Sequence, residues 1–221
     1  MTTQRHSYYR PIHKAMRHVL FDTSHKVGLT DFDDDADVRE VLEAVDRMIM
    51  FLHEHRENED KYIHPRAESR IPGITAKLVE EHDEDIRLSD EIQGIAGQIR
   101  TAEEAERGAL GIKLHERLND YIGIYLGHLY REETTIQQAL WDNFTDHELR
   151  AIDAELVSNL PRQVMARFLP VMCSTYSVAE ITPILTSIKA NAPAEYAQFA
   201  LQTAEQNMPP NSWEKVKARL G

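Results

Sequence analysis

The sequence has little cysteine, glycine or proline, and it lacks long apolar runs. Cys173 is the one cysteine among 221 residues, so an internal disulfide is excluded and we expect a reducing, cytoplasmic compartment. Nine glycines and nine prolines are too few for a loop-rich or all-β protein. The N-terminal residues carry no apolar stretch of signal-peptide type, and no segment approaches the length of a membrane span. We therefore expect a soluble protein with no membrane partner.

Positive charge is also in deficit. The chain has 25 Lys and Arg residues against 37 Asp and Glu residues, which gives a formal net charge of −12. Because an acidic surface repels phosphate backbones and anionic headgroups, no nucleic-acid partner is expected. Leu, Ala, Glu, Ile and Arg are frequent instead, and these residues are typical of helices. The composition therefore predicts an all-α protein.

The first part of the chain has the periodicity of four long helices. Their predicted ranges are 7–22, 36–64, 74–100 and 101–143. The second helix is expected to end near Pro65, because a proline disfavours helical backbone at the residue before it. A capping box from Thr101 to Glu104 is expected to begin the fourth helix. The loop between the first two helices is predicted at residues 23–37, which contain Gly28 and a run of aspartates.

The helical pattern changes after residue 144. Prolines divide residues 145–221 into short pieces, and Thr145, Ser177 and Asn211 each have a glutamate three residues later, as at many helix starts. We therefore predict a bundle domain over residues 1–144 and an extension of short helices over residues 145–221. The extension is expected to pack on the bundle or to form an oligomer contact, as in a homodimer.

Each long helix has a histidine on its apolar stripe. The four are His13, His55, His82 and His128. In the second and fourth helices a glutamate follows the histidine by four residues, as Glu59 and Glu132. Both pairs continue an apolar stripe that faces the core of the predicted bundle. The pattern therefore brings imidazole and carboxylate groups from four helices toward one place.

A His-x-x-x-Glu pair suits a site that two metal ions share. Residues four apart lie on one helical face, so the imidazole can bind one metal while the carboxylate reaches a second. Four imidazoles and two carboxylates, without thiolates, form a mixed nitrogen and oxygen set that suits iron or manganese. Ionised carboxylates buried without a partner would be costly. We therefore predict that the six residues are metal ligands, although a lone buried histidine is more often a hydrogen-bonded core residue.

Several polar residues lie beside the predicted ligands in the sequence. Three tyrosines share the buried stripes, Tyr62, Tyr121 and Tyr125, and they either pack in the core or donate a hydrogen bond to an oxygen species at the metals. His64 either caps the second helix or supports a ligand from outside. Asp60 and Glu133 are predicted to point away from the site. Asp85 is predicted to be solvated, or else to orient a ligand.

The order H…HxxxE…H…HxxxE resembles that of the hemerythrin-like (HHE cation-binding) family over residues 6–142. The matching segments are IHKAMRHVLFD with His13, FLHEHRENEDKYIHP with His55 and Glu59, EEHDED with His82, and YLGHLYREE with His128 and Glu132. The resemblance implies an up-down-up-down four-helix bundle that holds two iron ions in a non-haem di-iron centre, with carboxylate or oxo bridges. Manganese is the less favoured metal. By this resemblance His13 and His55 serve one iron, His82 and His128 serve the other, and Glu59 and Glu132 bridge them.

One departure from the oxygen-carrying hemerythrins bears on function. Those proteins place HxxxH on the third helix and HxxxxD on the fourth, whereas here Ile86 follows His82 by four residues and the last carboxylate is Glu132. One imidazole fewer leaves each iron with two histidines and an exchangeable position. This favours either a catalase-like or peroxidase-like reaction with hydrogen peroxide, or reversible metal and redox sensing.

Two other functions remain open on the sequence. The first is a non-enzymatic module that senses or stores oxygen, nitric oxide or iron. In both functional cases the partners are small oxygen species: O2, H2O2 or NO. The second is a purely structural helical protein whose histidines are incidental.

Overall fold

The computed structural model describes residues 5–221, and all regular structure in this range is helical. The α-helices are α1 Tyr9–Leu29, α2 Asp35–Asn58, α3 His64–Arg70, α4 Ala76–Thr101, α5 Glu104–Arg131, α6 Gln137–Asn143, α7 Asp146–Asn159, α8 Arg162–Thr175, α9 Val178–Asn191, α10 Ala194–Asn207 and α11 Pro210–Leu220. Two π-helical turns, π1 Glu59–Ile63 and π2 Glu132–Ile136, join α2 to α3 and α5 to α6. The prediction of an all-α bundle followed by a helical extension is confirmed. No helix within residues 5–221 combines the length and the apolar character that crossing a bilayer requires.

The chain divides into two compact units. The first contains residues 5–9 and Val19–Leu156, and the second contains Arg10–His18 and Val157–Gly221. In the first unit α4 packs against both α2 and α5, and their buried stripes form its interior. The largest fully buried apolar side chains there include Met48, Leu52, Leu88, Ile92, Leu114 and Leu118. Burial of aliphatic side chains of this size supplies most of the driving force for a helical bundle.

The second unit consists of short helices with their own buried residues. In it α10 packs against α8 and α9, and α11 packs against α9. Ser177 and Glu180 form a reciprocal capping box at the start of α9, as the sequence predicts, and Lys14 forms an ion pair with the same glutamate. Cys173 is fully buried in α8, and burial raises the pKa of its thiol to about 12. An unreactive, packed cysteine follows from that environment.

Several helix ends differ from the prediction. Helix α1 extends to Leu29, so Gly28 and much of the predicted loop are helical. Asp34 then caps α2, because its side chain accepts hydrogen bonds from the N–H groups of Ala36 and Asp37. The predicted capping box at Thr101 is wrong, since this residue ends α4 and its hydroxyl donates to carbonyls of the turn before it.

Both helices that contain a His-x-x-x-Glu pair change from α to π geometry at the glutamate. In π1 the N–H of His64 donates to the carbonyl of Glu59, five residues earlier, and Gln137 donates to Glu132 in the same way in π2. A π turn accommodates one extra residue in an α-helix, so the buried stripe shifts by one position after it. The α-helical period predicts Thr135 on that stripe, but Thr135 is exposed and Ile136 is buried instead.

The second helical rod does not end near Pro65, so that prediction is wrong. Pro65 lies in the first turn of α3, immediately after π1. A proline is tolerated in a first turn, because the backbone N–H that it lacks would have no partner there in any case. Continuation through α3 brings Ala67 into a buried cluster with Tyr8, Leu140 and Leu149. This cluster closes the end of the first unit at which the two π turns lie.

Candidate metal centre

The two His-x-x-x-Glu pairs lie at the junctions of the α-helices and the π turns. The Nε2 atom of His55 is 3.1 Å from Oε1 of Glu59, and Nε2 of His128 is 3.3 Å from Oε2 of Glu132. All four side chains are buried, and Glu132 has no exposed surface. Each pair therefore presents one imidazole nitrogen and one carboxylate toward the interior of the bundle.

The two carboxylates are common to two groups of possible ligands. Atoms of Glu59, His82, His128 and Glu132 all lie within 4.8 Å of one another, and atoms of His55 satisfy the same limit with both glutamates. The structure thus brings together five of the six predicted ligands within the first unit. The sixth, His13, is fully buried on α1. Two carboxylates shared between two sets of imidazoles is the arrangement that a pair of neighbouring cations requires.

Asp60 accepts hydrogen bonds from two of the histidines, which contradicts the prediction that it points away from the site. Its Oδ1 lies 3.0 Å from Nδ1 of His64 and 3.0 Å from Nδ1 of His82. Because an ionised carboxylate only accepts hydrogen bonds, both Nδ1 atoms must be the donors. The Nε2 atoms of His64 and His82 are then left as the nitrogens that can bind a metal. Asp60 therefore orients two imidazoles at once.

Glu81 orients a third imidazole, and the sequence analysis missed it. Its Oε2 lies 3.2 Å from Nδ1 of His128, and its Oε1 accepts a hydrogen bond of 2.8 Å from Nε of Arg131. A carboxylate on the outer nitrogen fixes the tautomer of a ligand histidine and makes it a stronger metal ligand. Glu81 immediately precedes His82 in the sequence, but its partner is on another helix. Neither the spacing nor the phase of α4 indicates that contact.

His64 lies inside the site, where the sequence left its role open. Its ring stacks on that of His82 with centroids 5.4 Å apart, and its Nε2 is 3.8 Å from Oε1 of Glu132. Burial lowers the pKa of His64, but the hydrogen bond to Asp60 and the carboxylates of Glu132 and Glu59 raise it more, to about 9. The pocket therefore favours positive charge, even at a group that burial alone would keep neutral.

The tyrosines differ in their contacts with the centre. The ring of Tyr125 lies 5.6 Å from that of His128 and 5.6 Å from that of Tyr121. Tyr62 is nearly buried, and the ammonium of Lys61 lies 5.0 Å from its ring centre. Burial first, and then the charges of Tyr121, Asp85, Glu59 and Glu132, raise the pKa of Tyr125 well above 10. Tyr125 therefore remains a neutral phenol at physiological pH.

Tyr9 is a further buried tyrosine near the carboxylates. It has no exposed surface, and its pKa is raised well above 10 by burial and then by the charges of Glu132 and Glu59. The sequence analysis gave Tyr9 no role at the centre. Tyr9 therefore stays a neutral phenol beside the charges of both glutamates.

Asp85 is buried, which contradicts the prediction that it is solvated. It accepts hydrogen bonds from the guanidinium of Arg56 and from the hydroxyl of Tyr121, and both Asp85 and Arg56 are less than a tenth exposed. Tyr121 stacks beside Tyr125, which contacts His128. The ion pair therefore supports the tyrosine layer next to the candidate ligand His128.

These residues fit a bound metal. Glu59 and Glu132 are 2% and 0% exposed, and burying two carboxylates together is strongly unfavourable unless cations compensate their charge. The Nε2 atoms of His64 and His82 are buried and have no hydrogen-bond partner among residues 5–221. Buried imidazole nitrogens that lack a hydrogen bond and lie beside buried carboxylates form a donor set that a metal ion would satisfy.

The comparisons with known proteins agree with this chemistry. A search of curated proteins finds no similar sequence. The family model described as the hemerythrin HHE cation binding domain matches residues 7–140, which is more than half of the chain. The matched range includes all six ligands that the sequence predicts, together with Asp60, His64 and Glu81. With its buried His and Glu clusters, the chain therefore belongs to the hemerythrin HHE cation-binding family.

Proposed function

We propose that the helices carrying the predicted histidine ligands hold two iron ions that share Glu59 and Glu132. His82 and His128 serve one ion, and His55 serves the other together with His13. The observation that carries the proposal is that both buried carboxylates lie within ligand distance of two different sets of imidazoles. Iron is preferred to manganese because the set is rich in imidazole, which suits iron, whereas manganese favours oxygen ligands.

The place of His13 in this proposal follows from the geometry of α1. His13 comes four residues after Tyr9 on one continuous helix, so the two side chains lie on the same face. Burial, and then the charges of Glu132 and Glu59, raise the pKa of Tyr9, which supports a place for Tyr9 near both carboxylates. Full burial of His13 agrees with a ligand on the same side.

We propose that the bound pair reacts with a small oxygen molecule, and with hydrogen peroxide in particular. Two iron ions supply Lewis acidity and redox chemistry toward such a molecule. The protein excludes bulk water through its buried tyrosines and holds them protonated, so that Tyr9 and Tyr125 can donate hydrogen bonds without adding negative charge. A disproportionation of two peroxide molecules to O2 and two waters balances without an external reductant.

The first experiment is metal analysis and an activity assay on protein that is loaded anaerobically with iron(II). We expect two irons per chain, charge-transfer absorption in the near ultraviolet after oxidation, and O2 release on addition of peroxide at a rate above that of free iron. His128→Ala should lose one iron and the O2 release, because it removes a ligand from the shared site. His147→Ala replaces an exposed histidine of α7 and should change neither.

The possible results separate the hypotheses. Absence of bound iron after iron loading would overturn the di-iron proposal and restore the purely structural interpretation. Two irons with no O2 release, but with a reversible spectral change on exposure to O2 or NO, would overturn the peroxide reaction alone. The same centre would then act as a binding or sensing module, which is the alternative that the sequence leaves open.

A further inference from the structure

We propose that His64 is a seventh ligand of the metal centre, on the ion that His82 and His128 bind, and that Asp60 is the positioning residue for His64 and His82 together. The inference rests on the proposed di-iron site and deepens it. His64 lies outside the H…HxxxE…H…HxxxE motif, and an α-helical period does not place it with the ligands.

The π turn is what brings His64 to the ligand face. In an α-helix successive residues turn by about 100°, so a residue five positions after Glu59 would point about 140° away from it. In π1 the N–H of His64 instead bonds the carbonyl of Glu59, so the two residues stack one turn apart. The side chains of both are buried as a result, at 5% and 2% exposure.

The orientation of the imidazole points in the same direction. The Nδ1–H of His64 donates to Asp60, and its Nε2 lies 3.8 Å from a carboxylate oxygen of Glu132. His82 is held in the same manner by the same carboxylate, and the two rings stack. The planes of the two imidazoles differ by 26°, and because both Nδ1 atoms face Asp60, both Nε2 atoms point to the side where Glu132 lies. That is the preorganisation expected of two ligands to one ion.

The equivalent position in the other His-x-x-x-Glu helix shows a different use of the same turn. Gln137 follows Glu132 by five residues and bonds its carbonyl across π2. Its side-chain oxygen accepts hydrogen bonds of 3.0 Å from the hydroxyl of Ser7 and from the N–H of Tyr8. Gln137 thus anchors the chain just before α1, whereas His64 is available to a metal. The two π turns make the centre unsymmetrical.

This asymmetry changes the coordination expected of the two ions. The ion at His82 and His128 would gain a third imidazole, which with the two shared carboxylates occupies five positions. The other ion would keep two imidazoles and the same carboxylates. The ion that His55 serves would then have one protein ligand fewer and be the more open of the two, in place of two equivalent ions.

The test compares iron release from four variants and the intact chain. Protein loaded with two equivalents of iron(II) is mixed anaerobically with a chromogenic iron(II) chelator, and wild type should release its iron in two phases of equal amplitude. His64→Gln places at position 64 the side chain found at 137 and should speed one phase by about 10-fold or more. Asp60→Asn should speed the same phase, and His55→Gln the other one. His25→Gln replaces an exposed histidine of α1 and should leave both unchanged.

A spectroscopic measurement makes the assignment independent of release rates. Mössbauer spectra of the protein loaded with ⁵⁷Fe should show two iron environments, and His64→Gln should shift one of them while the other keeps its parameters. Circular dichroism of the metal-free variants establishes that each is folded, and Asp60→Asn provides the test should His64→Gln not fold. Two irons in wild type with both release phases and both spectra unchanged in His64→Gln would overturn the seventh ligand but leave the di-iron proposal intact. Failure of wild type to bind two irons would instead overturn the proposed function.

Discussion

The carboxylates near the centre fall into three groups by their partners. Glu59 and Glu132 face the interior beside imidazole Nε2 atoms, Asp60 and Glu81 accept hydrogen bonds from Nδ1 atoms, and Asp85 pairs with Arg56. The first group lies among imidazole Nε2 atoms and is suited to bind metal directly. The second sets the tautomer and direction of ligand histidines. The third neutralises a buried guanidinium in the adjoining tyrosine layer.

The buried pair of Arg56 and Asp85 gives a prediction at the scale of single residues. Asp85→Asn should lower the free energy of unfolding by about 3 kcal/mol, because it leaves the Arg56 charge buried without its counter-ion. Replacing both partners, as Arg56→Met with Asp85→Leu, should restore most of that loss, since no unpaired charge then remains. The measurement is urea unfolding of metal-free protein.

Asp83 is the matched control for this pair. It lies on α4 two residues before Asp85 and is exposed, so Asp83→Asn should change the free energy of unfolding by no more than about 0.5 kcal/mol. Equal effects of the two aspartate substitutions would show that burial of the Arg56 pair has no energetic role.

Helical geometry decides which residues of α2 and α5 can reach the centre. Each rod is α-helical up to its glutamate and then includes one extra residue in a π turn. The stripe before the turn follows the spacing that the sequence predicts, through His55 and Glu59 or His128 and Glu132. In π2 the α-helical period predicts Thr135 on the buried stripe, whereas Ile136 is the buried residue.

Deletion variants test whether the π2 turn acts as a one-residue insertion in its helix. Removing Thr135, which is exposed in π2, should convert the turn to α geometry and leave Gln137 and Leu140 on the buried stripe. The variant should therefore keep its helical content and a cooperative thermal transition. Removing Ile124, which is half exposed in α5, should rotate His128 and Glu132 by about 100° away from the core. Circular dichroism with temperature distinguishes the two cases.

The test depends on a difference in thermal unfolding between the Thr135 deletion and the Ile124 deletion. Thr135 and Ile124 lie eleven positions apart along one continuous rod, so a general intolerance of shortening would affect both equally. Loss of cooperative unfolding in both variants would mean that residues 132–136 do not act as a one-residue insertion.

Because the whole molecule is acidic, a bound cation should stabilise its folded state. The chain has a formal net charge of −12, and two of its carboxylates are fully enclosed at the centre. A cation that binds the folded chain and not the unfolded one stabilises the fold by about 2.7 kcal/mol when present at 100 times its Kd. Two such ions would therefore contribute a large share of the free energy of unfolding of a typical domain.

Removal of the metal should lower the thermal stability of the whole molecule. Chelation of both ions should lower the midpoint of thermal unfolding by about 10 °C or more, because each kcal/mol shifts the midpoint of a chain of this size by about 2–4 °C. The double variant His55→Gln with His128→Gln removes one ligand from each ion, so its melting should depend little on chelator. A wild-type midpoint that is the same with and without chelator would contradict a metal that binds only the folded state.

The all-α class and the motif of histidines and glutamates follow from the amino-acid sequence without coordinates. This was possible because residues four apart share a helical face, so a continuous apolar stripe that reaches His55 and Glu59 can be read without coordinates. The length of α1 and the continuation of helical structure past Pro65 could not be predicted in the same way. Local signals such as Gly28 or a proline favour an end, and packing against other helices overrides them.

The groups that surround the predicted ligands depend on the packing of separate helices. Asp60 and His82 are separated by 22 residues, and Glu81 and His128 by 47, so their hydrogen bonds depend on how separate helices pack. Asp85 became buried for the same reason, through contacts with α2 and α5. His64 reached the centre through a π turn, whose extra residue breaks the period on which sequence reasoning relies. Contacts within one helix follow from local geometry, whereas contacts between helices and departures from the α period depend on the folded whole.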